Sequence, residues 1–218
     1  MIIKPLHKQI ILIESKNIEE LSNTFIRIQE YYESPFAEIR GKTFTLGRLA
    51  QLYSERGRTG GFTYHKTDIH WGDWAGFNFP SEALAPFIQG LFDPLTEKEA
   101  AFISTFRYRT DKFYIIGTII GDTGTYKHEL AHALYYISDK YKKEVDSLLL
   151  KVSLTPILDK LKETGYTSEV FLDESQAYLI SDLDSLELNI NQYPKYIELQ
   201  AKLLKVFNKF TAKEEIQL

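Results

Sequence analysis

The chain has 218 residues, 44% of them hydrophobic, a net charge of −4 and no cysteine. That length and apolar content suit a single domain with a full core, 1–218, or one domain plus a small appendage. The acidic balance argues against nucleic acid or an acidic membrane as the main partner, and zero cysteines exclude thiolate ligands and disulfides. No stretch approaches the roughly 18 apolar residues of a membrane span. The segment after Met1 has neither the hydrophobic core nor the cleavage site of an ordinary secretion signal. The expected compartment is therefore cytoplasmic, with export by a signal-less route left open.

In chain order, a short strand is expected near Gln9–Glu14 and a helix from Ile18 to about Glu33. Ser34-Pro35 ends that helix, because a proline disfavours helical backbone at the residue before it. Lys42–Thr45 reads as extended and Leu46–Arg56 as a short helix. Gly57-Arg58-Thr59-Gly60-Gly61 is a turn that lacks the lysine–serine ending of a phosphate loop. Phe62–Pro80 is aromatic and irregular. It reads as antiparallel β structure packed on the core, or as the lining of a cleft to which His65 or His70 would contribute a donor.

Two helices are expected over Ser81–Phe92 and Thr96–Phe106, divided by Asp93-Pro94. The run Lys112–Ile120 is the strongest strand signal. Gly121-Asp122-Thr123-Gly124 then turns into a helix, with Asp122 or Thr123 as its cap.

That helix carries His128-Glu129-Leu130-Ala131-His132. Positions i and i+4 share one helical face, so both imidazoles can grip a single metal ion. Glu129 sits beside the ion's open position, where a general base would take a proton from an attacking water. Neutral imidazoles with one carboxylate favour zinc, Zn2+, over magnesium or calcium. The uncharged Leu130 and Ala131 and the apolar Leu134 let the remaining faces be buried. The rival reading is an amphipathic helix whose histidines are merely polar edge.

A catalytic zinc usually takes a third protein ligand. No histidine follows His132, and Tyr135 and Ser138 stand where a glycine and a third histidine would continue one extended form of the motif. A later carboxylate is the natural candidate. The first helix is expected to run on past Tyr135 towards Leu150, which turns Glu144 away. Glu163 lies in a lysine-rich polar run, and Glu187 and Glu198 lie in segments with no matching polar cluster. Thr155-Pro156 opens another helix, and Gly165-Tyr166 breaks it. Ser168–Leu179 then has helical spacing with Ser168 as cap, and places Glu174 on a stripe with Phe171, Ala177 and Tyr178. An acid on such a stripe is costly unless paired or metal-bound. Glu174 is the expected third ligand, with Asp173 and Glu169 as alternatives. Tyr166 and Tyr178 are the candidate oxyanion donors, and the alternative role for Tyr178 is to hold the Glu174 carboxylate. A last amphipathic helix covers Tyr196–Phe210.

Thr125–Leu134, with the later helix carrying Glu174, resembles the zincin-fold metallopeptidases of the gluzincin type over about a quarter of the chain. The resemblance implies an α+β zincin-like fold. Its N-terminal half, 1–120, would hold a small mixed or antiparallel sheet, and its helical half, 121–218, the catalytic helix. It also implies a peptide or protein substrate, and a strand before the catalytic helix that pairs with substrate backbone. By that resemblance Phe113–Thr118, with Tyr114, Ile115, Ile116 and Gly117 at its centre, would bind peptide by strand addition; the alternative is a central strand doing core work only. The same ligand set would serve a hydrolase of non-peptide amides, a regulatory or toxin-type enzyme cutting one partner protein, or an inactive scaffold.

Overall fold

The computed structural model describes residues 1–55, 63–65, 68–70, 74–181, 183–214 and 216. The chain is a mixed α+β protein that divides into two units, Met1–Pro5 with Ile11–Gly121, and Leu6–Ile10 with Asp122–Leu218.

The N-terminal half contains strands β1 (Ile2–His7), β2 (Ile10–Ser15), β3 (Thr63–His65), β4 (Asp68–His70), β5 (Phe77–Pro80) and β6 (Tyr114–Ile119). Its helices are α1 (Ile18–Glu33), α2 (Leu46–Glu55), the single turn α3 (Ala85–Ile88) and α4 (Glu97–Phe106). Helix α1 has the expected limits. Asn17 caps its start by accepting from the Glu20 N–H at 2.9 Å, and Ser34 closes its end. Four strands form one mixed sheet in the order β1-β2-β6-β5, and β3 pairs with β4 in an antiparallel hairpin. The β reading of the aromatic segment is met by that hairpin and by β5. The Gly57–Gly61 turn and the side chains of His65 and His70 lie outside the described residues.

Strand β6 runs antiparallel to β5 with Asn78 opposite Ile116, and lies between β5 and β2. Both of its edges are therefore used by the protein's own backbone. Substrate pairing with Tyr114, Ile115, Ile116 and Gly117 is ruled out, since strand addition needs an open edge. Tyr114, Ile115 and Ile116 are at most 1% exposed, as befits a strand buried on both faces. Gly117 has a packing role: a Cβ there would meet Cε2 of Phe25 at 3.1 Å. Phe25 in turn packs edge-on against Phe79 and Phe102, which ties α1 and α4 to the sheet.

Three features of this half depart from the sequence reading. Strand β1 went unpredicted, because its exposed Ile-Ile-Lys-Pro text does not alternate cleanly. Lys42–Thr45 forms no strand. Ser81–Phe92 is a 3₁₀ turn followed by one α-helical turn ending at Ile88, since Gly90 adopts a left-handed φ of 76°.

The second unit contains α5 (Thr123–Ile137), α6 (Asp139–Leu149), α7 (Thr155–Thr164), α8 (Phe171–Ile180) and α9 (Pro194–Lys213). Helix α5 packs on α8 and α6, and α9 covers α6 and α8. Leu130, Leu134, Tyr141, Val145, Leu161, Leu179, Leu203 and Phe207 are fully buried among them. The expected continuous helix to Leu150 is instead two. Ser138 is extended (φ −123°, ψ 98°), and its hydroxyl caps α6 by accepting from the Tyr141 N–H at 3.3 Å. Among the described residues, no helix is long and apolar enough to cross a membrane.

Candidate metal centre

Helix α5 begins at Asp122, whose carboxylate accepts from the Thr125 N–H at 3.0 Å and from the Thr125 hydroxyl at 2.7 Å. Leu130, Ala131, Ala133 and Leu134 are wholly buried on the helix, and the two alanines allow a close approach of neighbouring backbone. That packing sets the rotation of α5 and sends both histidines to one side. The rings of His128 and His132 stand 4.8 Å apart, with their Nε2 atoms 3.1 Å from each other.

Helix α8 brings Glu174 to the same point. Its Oε2 lies 3.7 Å from His128 Nε2 and its Oε1 lies 3.7 Å from His132 Nε2. Among the described residues, this is the group of three potential ligands that converges closely enough to hold one ion. An ion with bonds of about 2.0–2.1 Å in tetrahedral geometry needs neighbouring ligand atoms about 3.3 Å apart. The observed separations straddle that value.

Hydrogen bonding on the far side of each ring decides which nitrogen is offered. His132 Nδ1 is 2.9 Å from Asp173 Oδ1, so that nitrogen carries the proton and donates it to the carboxylate. His128 Nδ1 is 3.1 Å from the Ser181 hydroxyl, whose own proton goes to the Ala177 carbonyl at 2.8 Å. Ser181 must therefore accept, and His128 also holds its proton on Nδ1. Both rings then present Nε2 lone pairs towards each other and towards a carboxylate. Glu174 is 3% exposed, and its Oε2 has no hydrogen-bond partner among the described residues. Acceptors converging in a buried place are unfavourable unless a cation or proton sits among them. This donor set fits a zinc ion.

Without a metal, the site draws a proton. Burial is the largest single influence on His132 and opposes its charged form. Asp173, Glu174 and Glu129 together overcome it and hold the ring well above its ordinary 6.5. Burial likewise opposes the charged form of Glu174, but His132 and His128 prevail and lower its pKa below 4.5.

Glu129 is buried in the same helix, and its charge acts on both His132 and Tyr178. The Tyr178 ring meets His128 edge-on at 4.6 Å, and its hydroxyl is 3.3 Å from that of Tyr166. Tyr178 thus pairs with Tyr166 rather than holding the Glu174 carboxylate. Burial first, then the carboxylates of Glu174 and Glu129, push the Tyr178 phenol up to about 12, so it keeps its proton at neutral pH.

Asp173 is the outer partner of His132, not the third vertex. Glu169 is exposed. The remaining acids pair elsewhere: Glu144 with Lys209, Glu163 and Glu187 with Lys160, and Glu198 with Lys202. Ser181 escaped the sequence reading, although a signal was present: it lies two turns after Glu174 on the same face of α8. Ser168 does not cap that helix, which starts at Phe171 after Val170 with no side-chain cap. No protein-family model, curated protein or solved structure matches the chain.

Proposed function

We propose that this chain is a zinc-dependent metallopeptidase with a zincin-like catalytic core of the gluzincin type, acting on a peptide or protein substrate. The observation that carries the reading is the convergence of two Nε2 atoms and one buried carboxylate oxygen that has no hydrogen-bond partner among the described residues, within the electrostatic reach of Glu129. His128, His132 and Glu174 would hold the ion. Bound zinc supplies a Lewis acid that acidifies water and polarises a carbonyl oxygen.

The remaining chemistry belongs to side chains. Glu129 takes a proton from the attacking water and delivers it to the leaving amine nitrogen, so the broken C–N bond ends as acid and amine. Tyr178 keeps its O–H at neutral pH and, with Tyr166 beside it, provides donors for the carbonyl oxygen as it gains charge. Asp173 and Ser181 keep the two imidazoles in the tautomer and orientation that ligation needs.

The test is elemental mass spectrometry joined to peptide hydrolysis. Near-stoichiometric zinc is expected in the wild type and its loss in His132→Ala and Glu174→Ala. Glu129→Gln should keep zinc while hydrolysing an unstructured polypeptide about 10²–10⁴-fold more slowly. Folded wild type that takes up no zinc when it is supplied would sink the metal site. Unchanged hydrolysis in Glu129→Gln would sink the mechanism.

A further inference from the structure

Behind Asp173 the hydrogen bonding continues inward. Gln176 Nε2 donates to Asp173 Oδ1 at 3.1 Å, and the Tyr141 hydroxyl donates to Gln176 Oε1 at 2.9 Å. Tyr141 and Gln176 are both 0% exposed, so neither can exchange its partner for solvent. The Tyr141 ring is braced edge-on by Phe210 of α9, with centroids 5.4 Å apart.

The directions in this chain are forced. Asp173 accepts from His132 Nδ1–H, and an ionised carboxylate has no proton to give. The Gln176 amide must therefore turn its NH₂ towards Asp173, which points its carbonyl at Tyr141 and requires the tyrosine to donate. Reversing the amide would set two acceptors against each other at Asp173 and leave a buried hydroxyl facing an NH₂ group.

We propose that Tyr141 and Gln176 are positioning residues for the metal centre. By fixing the amide, they fix the Asp173 carboxylate, which fixes the His132 ring with Nε2 towards the ion. The inference rests on the metal-site reading above. It adds that a tyrosine on α6, three hydrogen bonds removed from His132, governs metal affinity through Gln176 and Asp173. Asp173 has 24% of its side chain exposed, and the Gln176 amide donates to the same Oδ1 that accepts from His132, which restrains the carboxylate from its inner side.

The test compares zinc dissociation constants, by chelator competition, for wild type, Tyr141→Phe/Gln176→Leu, Asp173→Ala and the triple variant. The double variant replaces both partners of the inner bond with apolar groups of similar shape, which leaves no buried polar group unsatisfied and limits the loss of stability. Weakening of about tenfold is expected for the double variant and between about tenfold and a hundredfold for Asp173→Ala. The triple variant should match Asp173→Ala, because the inner bond acts only through Asp173. The ligand-field spectrum of the cobalt-substituted double variant should shift, whereas a purely structural role would lower the unfolding temperature and leave metal affinity and spectrum unchanged. That second pattern, or an undiminished loss in the Asp173→Ala background, overturns the relay while leaving the metal site standing. Absence of zinc binding by the wild type overturns both.

Discussion

His132 is where the electrostatics of the site concentrate. In the metal-free protein its pKa is raised, so the protonated ring stabilises the fold relative to the unfolded chain. That contribution is complete below the unfolded value of about 6.5 and is lost as pH rises through the higher folded value. Glu174 has the opposite sign: its lowered pKa contributes stability above about 4.5, lost as pH falls through its folded value. Metal-free protein should therefore hold its unfolding temperature between those limits and lose it towards alkaline pH. Thermal denaturation in a chelating buffer, from about pH 6 to about pH 9, measures this. His132→Ala should flatten the alkaline decline, and an equally steep decline in that variant would contradict the assignment. Zinc bound at the proposed site would have the reverse dependence, because the ion would take the place of the proton among the same acceptors. Its affinity should rise across the same interval.

At the scale of elements, the site depends on where helices stop. The break at Ser138 lets α6 leave the line of α5, and so lets Tyr141 reach Gln176 on α8. Removing the cap by Ser138→Ala should cost about 1 kcal/mol. Gly165 ends α7 in the left-handed region at φ 97°, and its N–H bonds back to Lys162 at 3.0 Å. Gly165→Ala should also cost about 1 kcal/mol, since a Cβ is strained there. Both costs are read from urea unfolding as a lower midpoint with an unchanged slope. A change in slope would show that the second unit had lost its cooperative transition.

For the whole molecule, a metal held by α5 and α8 would join two helices that are distant in sequence, and its binding to the folded form alone would become stability. Zinc at a hundredfold excess over its dissociation constant should add about 2.7 kcal/mol. The corresponding rise in unfolding temperature should vanish in Glu174→Ala, and a rise that survives there would place the ion elsewhere. The amino-acid sequence by itself determined the helix limits that depend on local chemistry. Asn17 and Asp122 supply caps, Pro156 and Pro194 tolerate only a first turn, and Gly165 accepts a positive φ. It also determined that His128 and His132 face the same way, because the i, i+4 relation is a property of one helix. Tertiary structure alone decided which neighbours each element meets. The apolar text of β6 announces burial but says nothing of the strands on either side, so only the pairing with β2 and β5 closed its edges. Asp173 and Glu174 are adjacent acids in sequence, yet α8 turns one to the outer nitrogen of His132 and the other to its inner nitrogen, Nε2. Successive helical residues point about 100° apart, and the rotation of α8 against α5 is set by packing between distant parts of the chain.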